Sequence, residues 1–185
     1  FALDDVLLPD FISHSVEVLE ASGDEVGLVF SNAAYIDDES KVIGYHNDIL
    51  FEKGMIKAVP HGDVFQWVLR RYFICTPTMV MRKSMLDKLG GYDETLAYED
   101  FDLWVRASRH WQFAYLNKVA LQKRKLLTSM SAQRHLHHYN EQMQSAFIVC
   151  SKAFHLCKTK ADLKALYERI NYEYRHCVKY GAEEL

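Results

Sequence analysis

Three carboxylates stand within four residues at Glu99, Asp100 and Asp102, in the run Tyr98-Glu-Asp-Phe-Asp-Leu-Trp104. They follow a paired glycine, Gly90-Gly91, and open a segment in which Leu103, Arg106, Ala107 and His110 share one side of a helix. A carboxylate where a loop becomes a helix meets unsatisfied backbone N–H groups and the positive end of the helix dipole, which keeps it ionised. An ionised carboxylate can take the proton of a hydroxyl that is about to act as a nucleophile. The competing use of these residues is structural, with Glu99 and Asp102 as solvated first-turn acids that only favour the helix. His135, His137 and His138, with Glu141 three residues after the last, are the other group with ligand-like spacing, and a solvated helix face accounts for them more simply.

The elements that must position these groups follow from local patterns. Leu7-Leu8-Pro9-Asp10 leads into an amphipathic helix with Ile12, Val16 and Leu19 on its apolar face and Gly23 as its stop. Gly27–Phe30 and the following Ala-Ala-Tyr-Ile read as a strand, Asp37–Ser40 as a turn, and Val42–Tyr45 as the returning strand. The stretch from there to Gly62 carries no clear pattern. Val64–Leu69 reads as a short buried helix ending at Arg70-Arg71. A loop pinned by Pro77 gives way to a strand from Thr78, and a helix from Ser84 ends at Gly90-Gly91. Glu99–His110 is helical, and two short strands follow at Gln112–Leu116 and Val119–Lys123.

From Leu136 the pattern changes. Leu136, Tyr139, Met143, Phe147, Cys150, Phe154 and Cys157 step by three and four, as do Leu163, Tyr167, Ile170, Tyr174 and Cys177. Thr159 and Asp162 have capping-box spacing, so an antiparallel helical hairpin is expected, with stripes suited to pairing copies of the chain in a homo-oligomer.

A chain of 185 residues that is 49% hydrophobic has material for a packed core, and its net charge of -3 gives no broad footprint for nucleic acid or an anionic surface. Any polyanion would need a local basic patch. No apolar run approaches the roughly 20 residues that span a bilayer. Four cysteines without CxxC spacing read as buried thiols, and a cytoplasmic location is the expectation.

The order LDDVLLPD, GLVFSNAAYIDDESK, FICTPTMVMRKSMLDKLGGYDETLAYEDFDLWVRASR and FAYLNKVALQKRKLLTSMS resembles family 2 glycosyltransferases over roughly residues 3 to 131. The resemblance implies an α/β fold, a partial GT-A-like mixed sheet flanked by helices (residues 1–131), to which the periodicity adds a C-terminal α-helical hairpin (132–185). It implies transfer of a sugar from a nucleotide-sugar donor to a hydroxyl acceptor with inversion, in polysaccharide or glycoconjugate synthesis. Asp100 then matches the catalytic base, with Glu99 beside it and Asp102 in the same motif. Asp4 and Asp5 match the acidic pair that holds the donor and a divalent cation, Mg²⁺ or Mn²⁺. Thr76, Thr78 and Trp104 fall where acceptor contacts are made.

Three departures qualify those expectations. The family's nucleotide-binding strands and helices are expected before Phe1, and without them the isolated chain is expected to be inactive. The acidic motif reads Ala2-Leu3-Asp4-Asp5 where relatives often have Asp-x-Asp-Asp. Before Ser129-Met130-Ser131, where many relatives carry a metal-binding histidine, the chain has Lys123-Arg124-Lys125-Leu126-Leu127, whose cations could balance a diphosphate. The alternative function is a non-catalytic interaction or dimerisation module built on the same scaffold.

Overall fold

The computed structural model describes residues 4–126 and 141–180. The expectations for Ser129–Ser131, for His135, His137 and His138, and for Leu136 and Tyr139 lie outside those residues. The chain divides into two compact units that are each discontinuous in sequence: Phe1–Val64 with Tyr72–Met85 and His110–Leu126, and Phe65–Arg71 with Leu86–Arg109 and Leu127–Leu185.

The first unit is built on a mixed five-stranded sheet. Its strands are β1 (Val6–Leu7), β2 (Val26–Ile36), β3 (Val42–Tyr45), β4 (Val80–Met81) and β5 (Gln112–Arg124). β2 is the spine: it runs parallel to β5 and antiparallel to β3 and β4, while β1 pairs antiparallel with the far side of β5. A strand buried on both faces reads as a nearly unbroken apolar run, and Val26–Phe30 followed by Ala33–Ile36 is such a run. Helix α1 (Phe11–Ala21) packs on β2 and β5, and α2 (His46–Glu52) packs on β2 and β3. The core gathers Leu28, Phe30, Phe73, Phe113 and Leu121, with the Phe30 and Phe73 rings edge to face at 5.7 Å. Each such side chain contributes roughly 1.5–3 kcal/mol by leaving water. Gly27 lets the chain through a tight gap, since a Cβ there would lie 2.5 Å from Met85 Sδ and 2.9 Å from Trp111 Cγ.

Several expectations change in this unit. α1 turns Phe11, Ser15 and Leu19 inward and leaves Ile12 and Val16 exposed, because Ser15 can be buried once its hydroxyl donates to the Phe11 carbonyl at 2.8 Å. The unpatterned stretch after Tyr45 contains α2, which buries His46 and Asn47 through hydrogen bonds to remote partners that no periodicity reveals. Thr76–Thr78 is a single turn of 3₁₀ helix, so the strand begins at Val80 rather than at Thr78. The two strands expected at 112–116 and 119–123 are one continuous strand. Pairing jumps from Ser31 opposite Leu116 to Asn32 opposite Val119, so Asn117 and Lys118 bulge outward without ending β5.

The second unit is helical: α3 (Phe65–Arg70), α5 (Glu99–Ser108), α6 (Glu141–Leu156) and α7 (Lys160–Tyr180). Counting α4 (Lys83–Leu89), seven α-helices occur among the described residues. α4 ends as expected: Gly90 and Gly91 take φ of 75° and 77°, and Gly91 N–H donates back to the Leu86 carbonyl at 3.0 Å. The hairpin also forms. Asp162 N–H donates to Thr159 Oγ1 and Thr159 N–H to Asp162 Oδ2, both at 3.1 Å, which is the reciprocal capping box. Cys177 near the end of α7 lies 3.8 Å from Met143 near the start of α6, so the pair is antiparallel.

The face that α7 buries differs from the stripe of large apolar residues. Asp162, Leu166, Arg169, Glu173, His176 and Cys177 point inward, while Leu163, Tyr167, Ile170 and Tyr174 are exposed. The charged face can be buried because its groups find partners. Asp162 binds Arg109 at 3.2 Å and Gln66 at 3.0 Å, Arg169 pairs with Glu173 at 2.7 Å, and the Arg169 guanidinium stacks 4.0 Å over the Phe101 ring. Burial alone would raise the Asp162 pKa, but N–H groups of Lys158 and Thr159 and the Gln66 amide outweigh it and hold the carboxyl below its ordinary range.

Candidate active site

The three acids at the start of α5 have different surroundings. Asp102 is 1% exposed, accepting from Arg106 Nε at 2.6 Å on one oxygen and from Lys152 Nζ at 2.9 Å on the other. Arg106 also donates from Nη1 to the Leu89 carbonyl and from Nη2 to the Gly91 carbonyl, each at 2.8 Å. Its planar fork therefore fastens the paired-glycine turn to the first turn of α5. Lys152 reaches back from α6 to Asp93 as well, at 2.6 Å, and Asp93 accepts from Thr95 N–H and Oγ1. The Lys152 and Thr95 hydrogen bonds hold the Asp93 carboxyl far below its ordinary pKa. For Lys152, burial works against the charge, but the hydrogen bonds to Asp93 and Asp102 prevail and its pKa rises.

Glu99 and Asp100 are partly exposed in that first turn. Beside them, burial and then the charges of Asp100 and Glu99 push the Tyr92 phenol up to about 12, so it stays a neutral donor at physiological pH. Trp104 is buried with Leu103 and Val105.

The remaining sequence candidates belong to the sheet unit. Asp5 is nearly buried at the open end of β1, and its Oδ1 accepts the Arg124 backbone N–H at 3.1 Å. Burial raises its pKa, the Arg124 N–H and the Lys123 charge oppose that, and the neighbouring Asp4 adds to it. Arg124 turns its guanidinium to the β2–β3 turn, donating to the Asp37 and Asp38 carbonyls and to Ser40 Oγ at 2.9 Å. Lys125 Nζ sits 4.3 Å over the Tyr35 ring. No group of three or more His, Cys, Asp or Glu side chains suited to a metal occurs among the described residues. Asp4 and Asp5 put two adjacent carboxylates just before β1, one oxygen of Asp5 being taken by the Arg124 N–H.

Thr78 is fully buried. Its Oγ1 accepts from Ser31 N–H at 3.2 Å and lies 2.7 Å from the Cys75 carbonyl and 3.0 Å from the Ser31 carbonyl, tying the 3₁₀ turn to β2. Thr76 is partly exposed. An open pocket of about 430 Å³ on the same unit is lined by Asn32, Asn47, Asp48, His61, Tyr115 and Asn117, among others. Its polar groups are linked, with the Asn47 amide donating to Tyr115 Oη at 2.7 Å and Asn32 Oδ1 accepting Asn47 N–H at 3.1 Å. Sequence reasoning missed this pocket and the anchoring role of Arg106 and Lys152. The Asp102–Arg106 spacing of four on one helix was the available signal for Arg106; Lys152, fifty residues from Asp102, left none.

A mixed sheet with flanking helices, followed by an acidic helix start held by a glycine turn, has the character of a GT-A-like α/β domain. The family described as glycosyltransferase like family 2 matches residues 17–180, and the chain belongs to it. Glycosyl transfer is the chemistry that this membership supports. No curated protein shows significant similarity to the chain.

Proposed function

We propose that the protein transfers a sugar from a nucleotide-sugar donor to a hydroxyl acceptor with inversion, Asp100 acting as the general base. The observation that carries this reading is the division of labour at the start of α5. Asp102 is 1% exposed with its oxygens on Arg106 and Lys152, whereas Asp100 in the same first turn is partly exposed. Asp102 then serves as a positioning residue that fixes the turn from which Asp100 works, with Glu99 keeping the neighbourhood acidic.

In the reaction the Asp100 carboxylate takes the acceptor's O–H proton as that oxygen bonds to the anomeric carbon. The bond from that carbon to the donor phosphate breaks on the opposite face, and its electron pair leaves with the nucleoside diphosphate. A divalent cation held by Asp4 and Asp5 would supply charge neutralisation of that diphosphate. Lys123, whose charge is felt at Asp5, would add to that neutralisation, while Arg124 spends its guanidinium on the β2–β3 turn. Thr76 is the member of the acceptor set Thr76, Thr78 and Trp104 with access to solvent. Polysaccharide or glycoconjugate synthesis is the setting this chemistry serves.

The test is transfer or donor hydrolysis by the full-length protein carrying Asp100→Asn, with folding checked by circular dichroism. A loss of at least about 100-fold is expected for removal of a general base. Retained activity in the variant removes Asp100 from the mechanism, whereas a wild-type protein without transfer or hydrolysis favours a non-catalytic interaction module on the same scaffold.

A further inference from the structure

The exposed side of α7 is a feature that the transfer chemistry does not use. Leu163, Tyr167, Ile170, Tyr174 and Val178 are all exposed, with Tyr167 at 65% and Tyr174 at 63%. Their spacing of four, three, four and four places them in one line along a helix of 21 residues. Apolar side chains aligned over about four turns and left in water are not explained by the fold, because the opposite face of the same helix already supplies its packing.

The charges around the stripe select what covers it. Lys160 lies within it, three residues before Leu163. Lys164, Arg175 and Lys179 run along one border, separated by eleven and four residues, and all four cations are exposed. Every acid of α7 is accounted for elsewhere: Asp162 is buried against Arg109, Glu173 against Arg169, and Glu168 pairs with Arg70 at 3.1 Å. The face is therefore apolar and cationic with no unpaired carboxylate, although the chain as a whole carries a net charge of -3. A second copy would oppose cation to cation, which disfavours self-pairing. No helix among the described residues is long and apolar enough to cross a membrane. Tyrosines beside lysines and arginine on one side of a helix suit the boundary between lipid headgroups and acyl chains, where rings sit at headgroup level and long cationic stems reach the phosphates.

We propose that α7 lies flat on an anionic lipid surface, with Leu163, Tyr167, Ile170, Tyr174 and Val178 inserted and Lys160, Lys164, Arg175 and Lys179 on the phosphates. The enzyme is thereby held where a lipid-borne substrate would be presented. This docking rests on the helix alone and stands apart from the role of Asp100.

The experiment is co-sedimentation of the purified chain with phosphatidylcholine vesicles, with and without phosphatidylglycerol, alongside light scattering of the protein alone. Binding to the anionic vesicles is expected, weakened by salt. It should fall at least about tenfold both in Tyr167→Ser/Tyr174→Ser and in Lys164→Glu/Arg175→Glu. These side chains are exposed, so circular dichroism should show all variants folded. Asp100→Asn should bind vesicles as the wild type does, which separates this proposal from the catalytic one. Absence of binding to anionic vesicles overturns the proposal. So does binding that charge reversal leaves unchanged, or a dimer in solution that the tyrosine substitutions convert to monomer.

Discussion

Arg106 Nε donates to Asp102 Oδ2 at 2.6 Å from one turn further along α5, while its two terminal nitrogens hold the carbonyls of Leu89 and Gly91. One guanidinium thus connects the acidic helix start to the glycine turn before it. Because Asp102 is almost wholly buried, loss of either Arg106 or Lys152 leaves one of its oxygens without that hydrogen bond. Arg106→Met should therefore lower unfolding stability by about 2–3 kcal/mol, somewhat under the usual cost of stranding a buried charge because Arg106 keeps some water contact. Lys152→Met, at a more exposed amine, should cost about 1 kcal/mol. Urea denaturation of the single and double variants measures both, and a non-additive double variant is expected because the two cations share Asp102.

The same geometry separates two neighbouring aspartates. Asp102→Asn should shift the unfolding midpoint downward, since an amide cannot compensate two cations. Asp100→Asn should leave the midpoint nearly unchanged and remove transfer. Equal loss of stability in the two variants would mean that Asp100 is as structural as Asp102.

Removal of divalent cations tests the pair at β1. With Asp4 and Asp5 as the cation's protein donors, a chelator should abolish transfer, and Mg²⁺ or Mn²⁺ should restore it. Asp5→Asn should raise the metal concentration needed for half activity. Full activity in chelator would assign the diphosphate's charge balance to Lys123 and its neighbours instead.

His46 should make the fold sensitive to mild acid. It is buried between Tyr35 Oη at 2.9 Å and the Phe73 carbonyl at 3.0 Å, so Nε2 donates to the carbonyl and Nδ1 accepts from the phenol. Burial lowers its pKa from 6.5 to about 4; the Phe73 carbonyl opposes the shift, and the charges of Lys123 and Lys125 add to it. Between those two values the unfolded chain binds a proton that the folded chain refuses, so stability falls as pH drops from 6.5 towards 4 and levels off below. The expected loss is about 2–4 kcal/mol. His46→Gln should be weaker at neutral pH but should flatten this slope in chemical denaturation. An unchanged slope would show that His46 is not its source.

Much of the element order was legible in the sequence because its causes are local. The Gly90-Gly91 stop needs two positive φ values, the Thr159–Asp162 box needs a hydroxyl and a carboxylate three residues apart, and α3 needs an apolar run bounded by arginines. The clustering of Glu99, Asp100 and Asp102 at a helix start was legible for the same reason. Tertiary structure decided how Asp102 is held, because Lys152 lies fifty residues from it. It also decided which side of α7 is buried. Periodicity ranks faces by the size of their apolar groups, yet a charged face whose ions are paired by Arg109, Gln66 and the Phe101 ring can be buried instead. The stripe that looks like a core in the sequence is left to the solvent, and only partners distant along the chain could have made it so.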